Sequence, residues 1–226
     1  AYAAIFRRID TPEAFLACWT EAKEVTVLEW IAEDYQKPQL RGVRDAWKFA
    51  RPRAMQHLHD LAESYRKRGI PSFLSDQDQY TFVRDMVRAG RVHAVRGDVT
   101  KHRTMRDIAA FATKACLPVR TLYLSNVEGY INYYIPNYRK NILGLPGDSD
   151  SVVLQTDPSG GHTYRYVAQP LSVYRDWLQC KCVYQVSVLR PYFEPRGDQG
   201  LLTVTKRPAE VESLAGKARR AGPAPS

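Results

Sequence analysis

The stretch "VRTLYLSNVEGYINYYIPNYRK", residues 119–140, changes character part-way along. Its first half is rich in β-branched, leucine and tyrosine side chains, which is typical of a strand in a sheet. The strand pattern ends at Ser125 and Asn126, and a tyrosine-rich segment follows, with Glu128 three residues after the serine. A buried strand that ends on small polar groups presents them where the sheet meets solvent. Ser125 and Asn126 are therefore candidate binding residues.

The residues before this strand predict a second strand and a helix. "RVHAVRGD" has the pattern of a short strand that ends at Gly97 and Asp98, and "KHRTMRDIAAFATKA" has the apolar spacing of an amphipathic helix. Two strands joined by a helix predict a parallel βαβ unit with a right-handed crossover.

The residues after it continue the alternation of strand and helix. "SVVLQTD" is predicted as a third strand, "LSVYRDWLQ" as a helix and "CVYQVSVL" as a fourth strand, with "GLLTVT" pairing against the fourth strand in an antiparallel hairpin. Further helices are predicted near the start, including one over residues 41–68 that is interrupted near Pro52. The predicted class is α/β, a mostly parallel sheet flanked by helices with a C-terminal antiparallel hairpin.

Length and charge place limits on the domain organisation. With 226 residues, 44% of them hydrophobic, one domain is expected over residues 1–205. Residues 206–226, "KRPAEVESLAGKARRAGPAPS", are basic and poor in apolar groups, so a disordered tail is predicted. The formal net charge of +9 favours anionic partners.

Targeting and cysteine patterns predict a cytoplasmic protein. The sequence contains no apolar run long enough to span a membrane and no visible secretory signal, so no membrane partner is expected. Cys18, Cys116, Cys180 and Cys182 lack the spacing of a zinc site, so no metal is expected. Buried free thiols in a reducing compartment are the prediction.

The carboxyl ends of parallel strands are where open α/β sheets bind ligands. Gly97 and Asp98 end one predicted strand, and Ser125 and Asn126 end the next. The glycine allows close approach, and the aspartate accepts hydrogen bonds from an amino or hydroxyl group. The same residue types also cap helices, and Ser125 with Glu128 fits the capping box Ser-x-x-Glu. A ligand role and a capping role both remain open.

The segment "VHAVRGDVTKHRTMRDIAAFATKACLPVRTLYLSNVEGYI" resembles an uncharacterised bacterial family with a fold like that of the class I S-adenosylmethionine-dependent methyltransferases. Gly97-Asp98 and "YLSNVE" carry the resemblance most closely, and "NYRKNILGLPGDSDSVV" adds to it. The resemblance implies a Rossmann-like sheet and S-adenosylmethionine as cofactor.

The resemblance also implies roles for individual residues. Gly97, Asp98 and Ser125 would bind the cofactor, with Asp98 at the adenine ring. Asn126 would orient the methyl acceptor, and Glu128 would accept a proton. The glycine-rich loop and the acidic residue that such enzymes use for the rest of the cofactor do not occur in this sequence. We therefore expect a fragment of a longer protein whose first strands precede Ala1, and weak binding of S-adenosylmethionine by these residues alone.

Two other functions remain open. A nucleic-acid-binding module would use two basic clusters, with Tyr133, Tyr134 and Tyr138 stacking on bases; the clusters are Arg51, Arg53, Arg66, Lys67 and Arg68, and Lys101, His102, Arg103 and Arg106. The alternative for these residues is a solvated helix face with tyrosines in the core. A non-catalytic scaffold of the same fold would have a missing or filled pocket at Asp98 and Asn126.

Overall fold

A computed structural model describes residues 2–34, 40–158, 164–180, 182–196 and 201–211. The chain forms two compact units, Ala1–Ala94 and Val95–Ser226, and each is described here by itself. This division differs from the single domain expected over residues 1–205.

The first unit is helical. Its elements are α1 (Tyr2–Phe6), α2 (Pro12–Ala17), a 3-10 turn (Glu21–Lys23), α3 (Glu24–Asp34), α4 (Leu40–Lys67) and α5 (Gln77–Arg88). Thr11 caps α2, because its hydroxyl accepts a hydrogen bond from the backbone N–H of Ala14 at 3.2 Å. The predicted interruption of α4 is wrong, since this helix continues through Pro52.

Aromatic side chains form the core of the first unit. Phe6 stacks on Phe15 with ring centroids 4.9 Å apart, and Trp19 stacks on Trp47 at 4.7 Å. Tyr80 is fully buried beside them, and its hydroxyl donates to the carbonyl of Ile9 at 3.1 Å. Burial of such large apolar surfaces provides most of the favourable free energy of folding for this unit.

Among the residues that the structure describes, the second unit combines three α-helices with one sheet. In chain order it contains α6 (Thr104–Lys114), β1 (Thr121–Ser125), α7 (Pro136–Leu143), β2 (Val152–Pro158), β3 (Tyr164–Pro170), α8 (Leu171–Gln179), β4 (Glu194–Arg196) and β5 (Leu201–Thr203). Three 3-10 segments at Val127–Gly129, Val186–Tyr192 and Pro208–Glu210 complete it. The strand order is β1-β2-β3-β5-β4.

The predicted mostly parallel, Rossmann-like sheet is wrong. The sheet is mixed, because β1 and β2 are parallel and β3 and β5 are parallel, whereas β2 pairs with β3 and β4 with β5 in antiparallel orientation. The chain returns from β2 to β3 after only five residues, which is too short for the crossover that parallel neighbours need. Helices account for 54% of the described residues.

Two predicted strands do not form. Residues 91–98 have no regular secondary structure, and Val92 and Val95 are exposed, so the predicted βαβ unit is absent. "CVYQVSVL" contains no strand, and a 3-10 segment begins at Val186. Val183, Val186 and Leu189 are buried at a spacing of three residues, the period of a 3-10 helix rather than of a strand. The C-terminal antiparallel hairpin exists, but β4 and β5 form it.

One face of the sheet and α8 form the core of the second unit. Val167 on β3 lies opposite Leu202 on β5, and Val153 on β2 lies two positions before Gln155, the partner of Val167. Val153, Val167 and Leu202 are all buried. The indole of Trp177 is fully buried and donates to the carbonyl of Lys206 at 2.9 Å. Val211 is also buried. The predicted disordered tail therefore contacts this unit through the carbonyl of Lys206 and the side chain of Val211, although most side chains of residues 206–211 are exposed. Residues 212–226 lie outside the described residues.

The cysteine prediction is correct only for Cys18, which is buried with a free thiol. Cys116 is free but exposed, and Cys180 and Cys182 are joined by a disulfide. Within the described ranges, no helix is both long and apolar enough to cross a membrane.

Candidate functional site

A sharp change of chain direction ends β1. Ser125 has a φ of 50°, in the left-handed region that a residue with a side chain rarely adopts, and the register with β2 shifts at this point. A 3-10 turn, Val127–Gly129, follows at once. The chain therefore leaves the sheet in a tight turn with Asn126 at its start.

This turn forms one wall of a pocket. The pocket has a volume of about 310 Å³ and lies at the carboxyl ends of the parallel strands β1 and β2. Its lining combines polar side chains with a larger apolar surface: Asn126, Gly129, Tyr130, Thr156, Asp157, Gln185, Val186, Ser187 and Arg190. The volume is at the lower end of the range for small-molecule sites.

A buried carboxylate with two arginine partners lies in the pocket wall. Asp157 has 1% of its side chain exposed. Its Oδ1 accepts from Nε of Arg190 at 2.8 Å, and its Oδ2 accepts from Nη2 of Arg165 at 2.9 Å. A buried carboxylate needs such partners, because burial removes its hydration. Two guanidinium groups around one carboxylate leave a net positive charge at the site.

Two polar side chains in the pocket have hydrogen-bonding atoms that could contact a ligand. Arg190 uses only Nε on Asp157, and its Nη atoms have no hydrogen-bond partner in the part of the chain that the structure describes. Its side chain is 48% exposed. The side-chain amide of Asn126 likewise has no partner among these residues. A guanidinium group and an amide together suit an oxyanion such as a carboxylate or phosphate.

Two hydrogen bonds join the two walls of the pocket. Nε2 of Gln185 donates to the carbonyl of Gly129 at 3.1 Å. The backbone N–H of Tyr133 donates to the carbonyl of Tyr184 at 2.8 Å. The turn after β1 and the segment that carries Arg190 are thus joined directly.

Glu128 lies in the turn but not in the pocket lining. It is 1% exposed, and its Oε1 accepts hydrogen bonds from the hydroxyls of Tyr138, at 3.0 Å, and Tyr174. Burial raises the pKa of the Glu128 carboxyl, and the hydroxyl groups of the surrounding tyrosines oppose this shift. The predicted role of Glu128 as a proton acceptor would require contact with a ligand. The contacts observed here anchor the turn to α7 and α8.

Gly97 and Asp98 are not among the residues that line the pocket. Asp98 is exposed, and its carboxylate accepts from the backbone N–H of Thr100 at 2.8 Å and from its hydroxyl at 2.6 Å. These bonds lower the pKa of Asp98. A Cβ at Gly97 would lie 2.4 Å from the side chain of Thr104, so close packing accounts for the glycine. Of the five predicted site residues, only Asn126 lines this pocket, and Ser125 and Glu128 flank it in the chain.

The two predicted basic clusters lie in different units and differ in their neighbours. In the first unit, Arg51 lies near Glu21 and Glu24, and Lys67 pairs with Glu63 at 2.6 Å. In the second unit, Lys101 and His102 precede α6 and Arg106 lies on it, and all three are exposed. The proposed stacking of Tyr133 and Tyr138 on bases is wrong, since both side chains are fully buried.

Within the described ranges, no group of three or more His, Cys, Asp or Glu side chains is arranged to hold a metal ion.

Comparison with known families now adds one finding. Residues 1–204 match a family described as a domain of unknown function, DUF7790. The chain belongs to this family. No curated protein matches the sequence.

The sequence analysis missed Asp157, Gln185 and Arg190. Asp157 was detectable by the same reasoning that identified Asn126, because Thr156 and Asp157 place polar groups near the end of a strand that begins "SVVL". Gln185 carried no such signal, since it lay inside the predicted strand "CVYQVSVL", and Arg190 directly followed that strand in the connection to the hairpin.

Proposed function

We propose that the protein binds a small polar ligand with a carboxylate or phosphate group in the pocket at the carboxyl ends of β1 and β2. One observation carries the proposal. The guanidinium of Arg190, which lines the pocket, is held in place by the buried Asp157, while its Nη atoms have no hydrogen-bond partner among the described residues.

The arrangement lowers the cost of binding because Arg190 is already positioned. A ligand oxyanion would accept two parallel hydrogen bonds from the Nη atoms, which is the strongest form of anion recognition by arginine. Asn126 would donate a third hydrogen bond from the opposite wall, and the hydroxyl of Ser187 a fourth. These groups set the orientation of the ligand.

Methyl transfer from S-adenosylmethionine is the second candidate. The position of Asn126 in a pocket at the end of β1 supports it, because the resemblance assigns that strand end to the methyl acceptor. Arg190 would pair with the carboxylate of the cofactor. Asp98, to which the resemblance assigns adenine binding, follows a segment without a strand and is not among the lining residues of this pocket.

Calorimetric titration of the full chain with inorganic phosphate, succinate and S-adenosylmethionine tests both candidates. We expect binding of phosphate or succinate that Arg190→Gln weakens about tenfold or more, since a hydrogen bond to a charged group contributes about 1.5–3 kcal/mol. Asn126→Ala should weaken it by a smaller factor.

Arg106→Gln is the matched control, because Arg106 is an exposed arginine on α6. It removes the same charge away from the pocket and should leave the affinity unchanged. Equal losses for Arg190→Gln and Arg106→Gln would mean that only the overall charge matters and would refute the proposal. Tight binding of S-adenosylmethionine alone would favour methyl transfer.

A further inference from the structure

The disulfide between Cys180 and Cys182 closes a very short segment of chain. In this it differs from ordinary structural disulfides. The two cysteines are separated by two positions, immediately after the end of α8 at Gln179. A structural disulfide stabilises a fold mainly by restricting the unfolded chain, and this effect grows with the length of the closed loop. A loop of three residues restricts the unfolded chain very little.

Other contacts already hold the same segment. The N–H of Cys180 donates to the carbonyl of Asp176 at 2.9 Å as the last turn of α8 closes. Beyond the disulfide, the carbonyl of Val183 accepts from Nη2 of Arg139 at 3.3 Å, and Val183 itself is fully buried. The fold therefore does not depend on the disulfide to bring this chain segment to the core.

Both cysteines are partly accessible, at an intermediate level of burial. Both residues thus lie near the surface, where a thiol from another molecule can approach them. After reduction the two thiols stay two positions apart in the chain, so re-formation of the bond is intramolecular and fast compared with exchange between molecules. These are the properties of a disulfide that opens and closes reversibly.

The disulfide is also close in the chain to the ligand pocket. Gln185, the first pocket residue of this segment, follows Cys182 by three positions, and Ser187 and Arg190 come soon after. Cys182 packs against the core of the second unit. A change at Cys182 therefore acts directly on the backbone that positions one wall of the pocket.

We propose that Cys180 and Cys182 form a reversible redox site whose state controls the order of residues 183–190 and, through them, the pocket. The reductant is a dithiol. Its thiolate attacks one sulfur, the S–S bond breaks, and the other cysteine leaves as a thiolate and takes up a proton. The second thiol of the reductant then displaces the first cysteine. Two electrons and two protons have passed to the cysteines, and the reductant has become a disulfide. The effect on ligand binding rests on the function proposed above, whereas the redox site does not.

The test uses the full chain with Cys116→Ser, which removes the exposed free thiol. The protein is equilibrated in buffers of oxidised and reduced dithiothreitol, and native thiols are alkylated and counted by mass spectrometry. We expect zero or two labels per molecule on Cys180 and Cys182, with the same midpoint from either direction, because the free thiol of Cys18 is buried in the native protein. A bond that resists reduction until the protein unfolds would overturn the proposal.

Hydrogen–deuterium exchange then compares the oxidised protein with the reduced protein, without any ligand. Residues 183–190 should exchange at least about threefold faster after reduction, while α6, far along the chain, should not change. A Cys180→Ser, Cys182→Ser variant should exchange like the reduced protein under both conditions. Equal exchange in the two states would refute control of the pocket segment.

Titration with inorganic phosphate is done last, and it separates the proposed binding function from redox control of the pocket. Faster exchange with no phosphate binding in either state would retain the redox site and its control of the segment, and would reject the proposed function. Phosphate binding of equal affinity in both states would retain the proposed function and reject redox control of the pocket.

Discussion

The buried carboxyl of Glu128 makes the stability of the second unit depend on pH in an unusual direction. Burial raises its pKa in the folded protein above the ordinary value of 4.5. The folded state therefore holds this proton at pH values where the unfolded state has released it. As the pH rises from 4.5 to the raised pKa, the folded protein loses stability, because unfolding releases a proton. A carboxylate paired with cations would do the opposite.

The magnitude follows from proton linkage. Within this window the free energy of unfolding falls by up to about 1.4 kcal/mol for each pH unit. Glu128 is buried on all sides, so solvent screening does not reduce the effect. Glu128→Gln removes the titration and keeps an oxygen that accepts from Tyr138 and Tyr174. The variant should match the wild type near pH 4.5 and become progressively more stable than it at higher pH.

Urea unfolding followed by two-dimensional NMR measures this difference, because the signals report the second unit separately from the first. Subtracting the variant from the wild type at each pH cancels every titrating group that the two proteins share. Tyr138→Phe is the second variant: it removes one hydroxyl that favours the charged form, so the window should extend to higher pH. A difference that stays constant between pH 4.5 and 7, or that grows in favour of the wild type, would refute the reasoning.

Three further changes test the packing and the ion pairs. Leu178→Ala should lower the free energy of unfolding by about 2–5 kcal/mol, since the side chain is fully buried. The control Phe111→Ala, at an exposed position of α6, should change it by less than about 0.5 kcal/mol. Urea unfolding compares the two variants with the wild type. Asp157→Asn should cost about 2–4 kcal/mol, because it weakens two charge-assisted hydrogen bonds whose arginines are half exposed, and an unchanged urea midpoint would contradict the ion-pair account. Asp10→Asn should cost less than about 1 kcal/mol despite two arginine partners, since its side chain is 65% exposed, and thermal unfolding at low and high salt would show the difference fading.

The sequence predicted local structure well where one signal dominated. The predictions of the strand β1, with its end at Ser125, and of the helix α8 were both correct, because β-branched runs and apolar spacing act within a few residues. Sheet topology was not predictable in the same way. The mixed sheet depends on which strands pair, and the segment at residues 91–98 had a strand-like pattern but pairs with nothing among the described residues.

Only the wall of the candidate site that contains Asn126 was predictable from the sequence. Asn126 follows from the rule that strand ends present polar groups to ligands. Arg190 lies in a 3-10 segment whose buried residues repeat every three positions, and short apolar runs of this kind are easily mistaken for strands. The pairing of Arg190 with Asp157 joins residues 33 positions apart, a distance over which a single sequence carries no local signal.

The central claim is that an anionic ligand binds between Asn126 and Arg190. Titration of the ¹⁵N-labelled full chain with inorganic phosphate, followed by two-dimensional NMR, tests it most directly. The account predicts shifts concentrated at the backbone amides of Asn126, Gly129, Gln185 and Ser187, and their loss in Arg190→Gln. Shifts confined to exposed basic residues such as Lys101 and Arg106, or unchanged by Arg190→Gln, would contradict it.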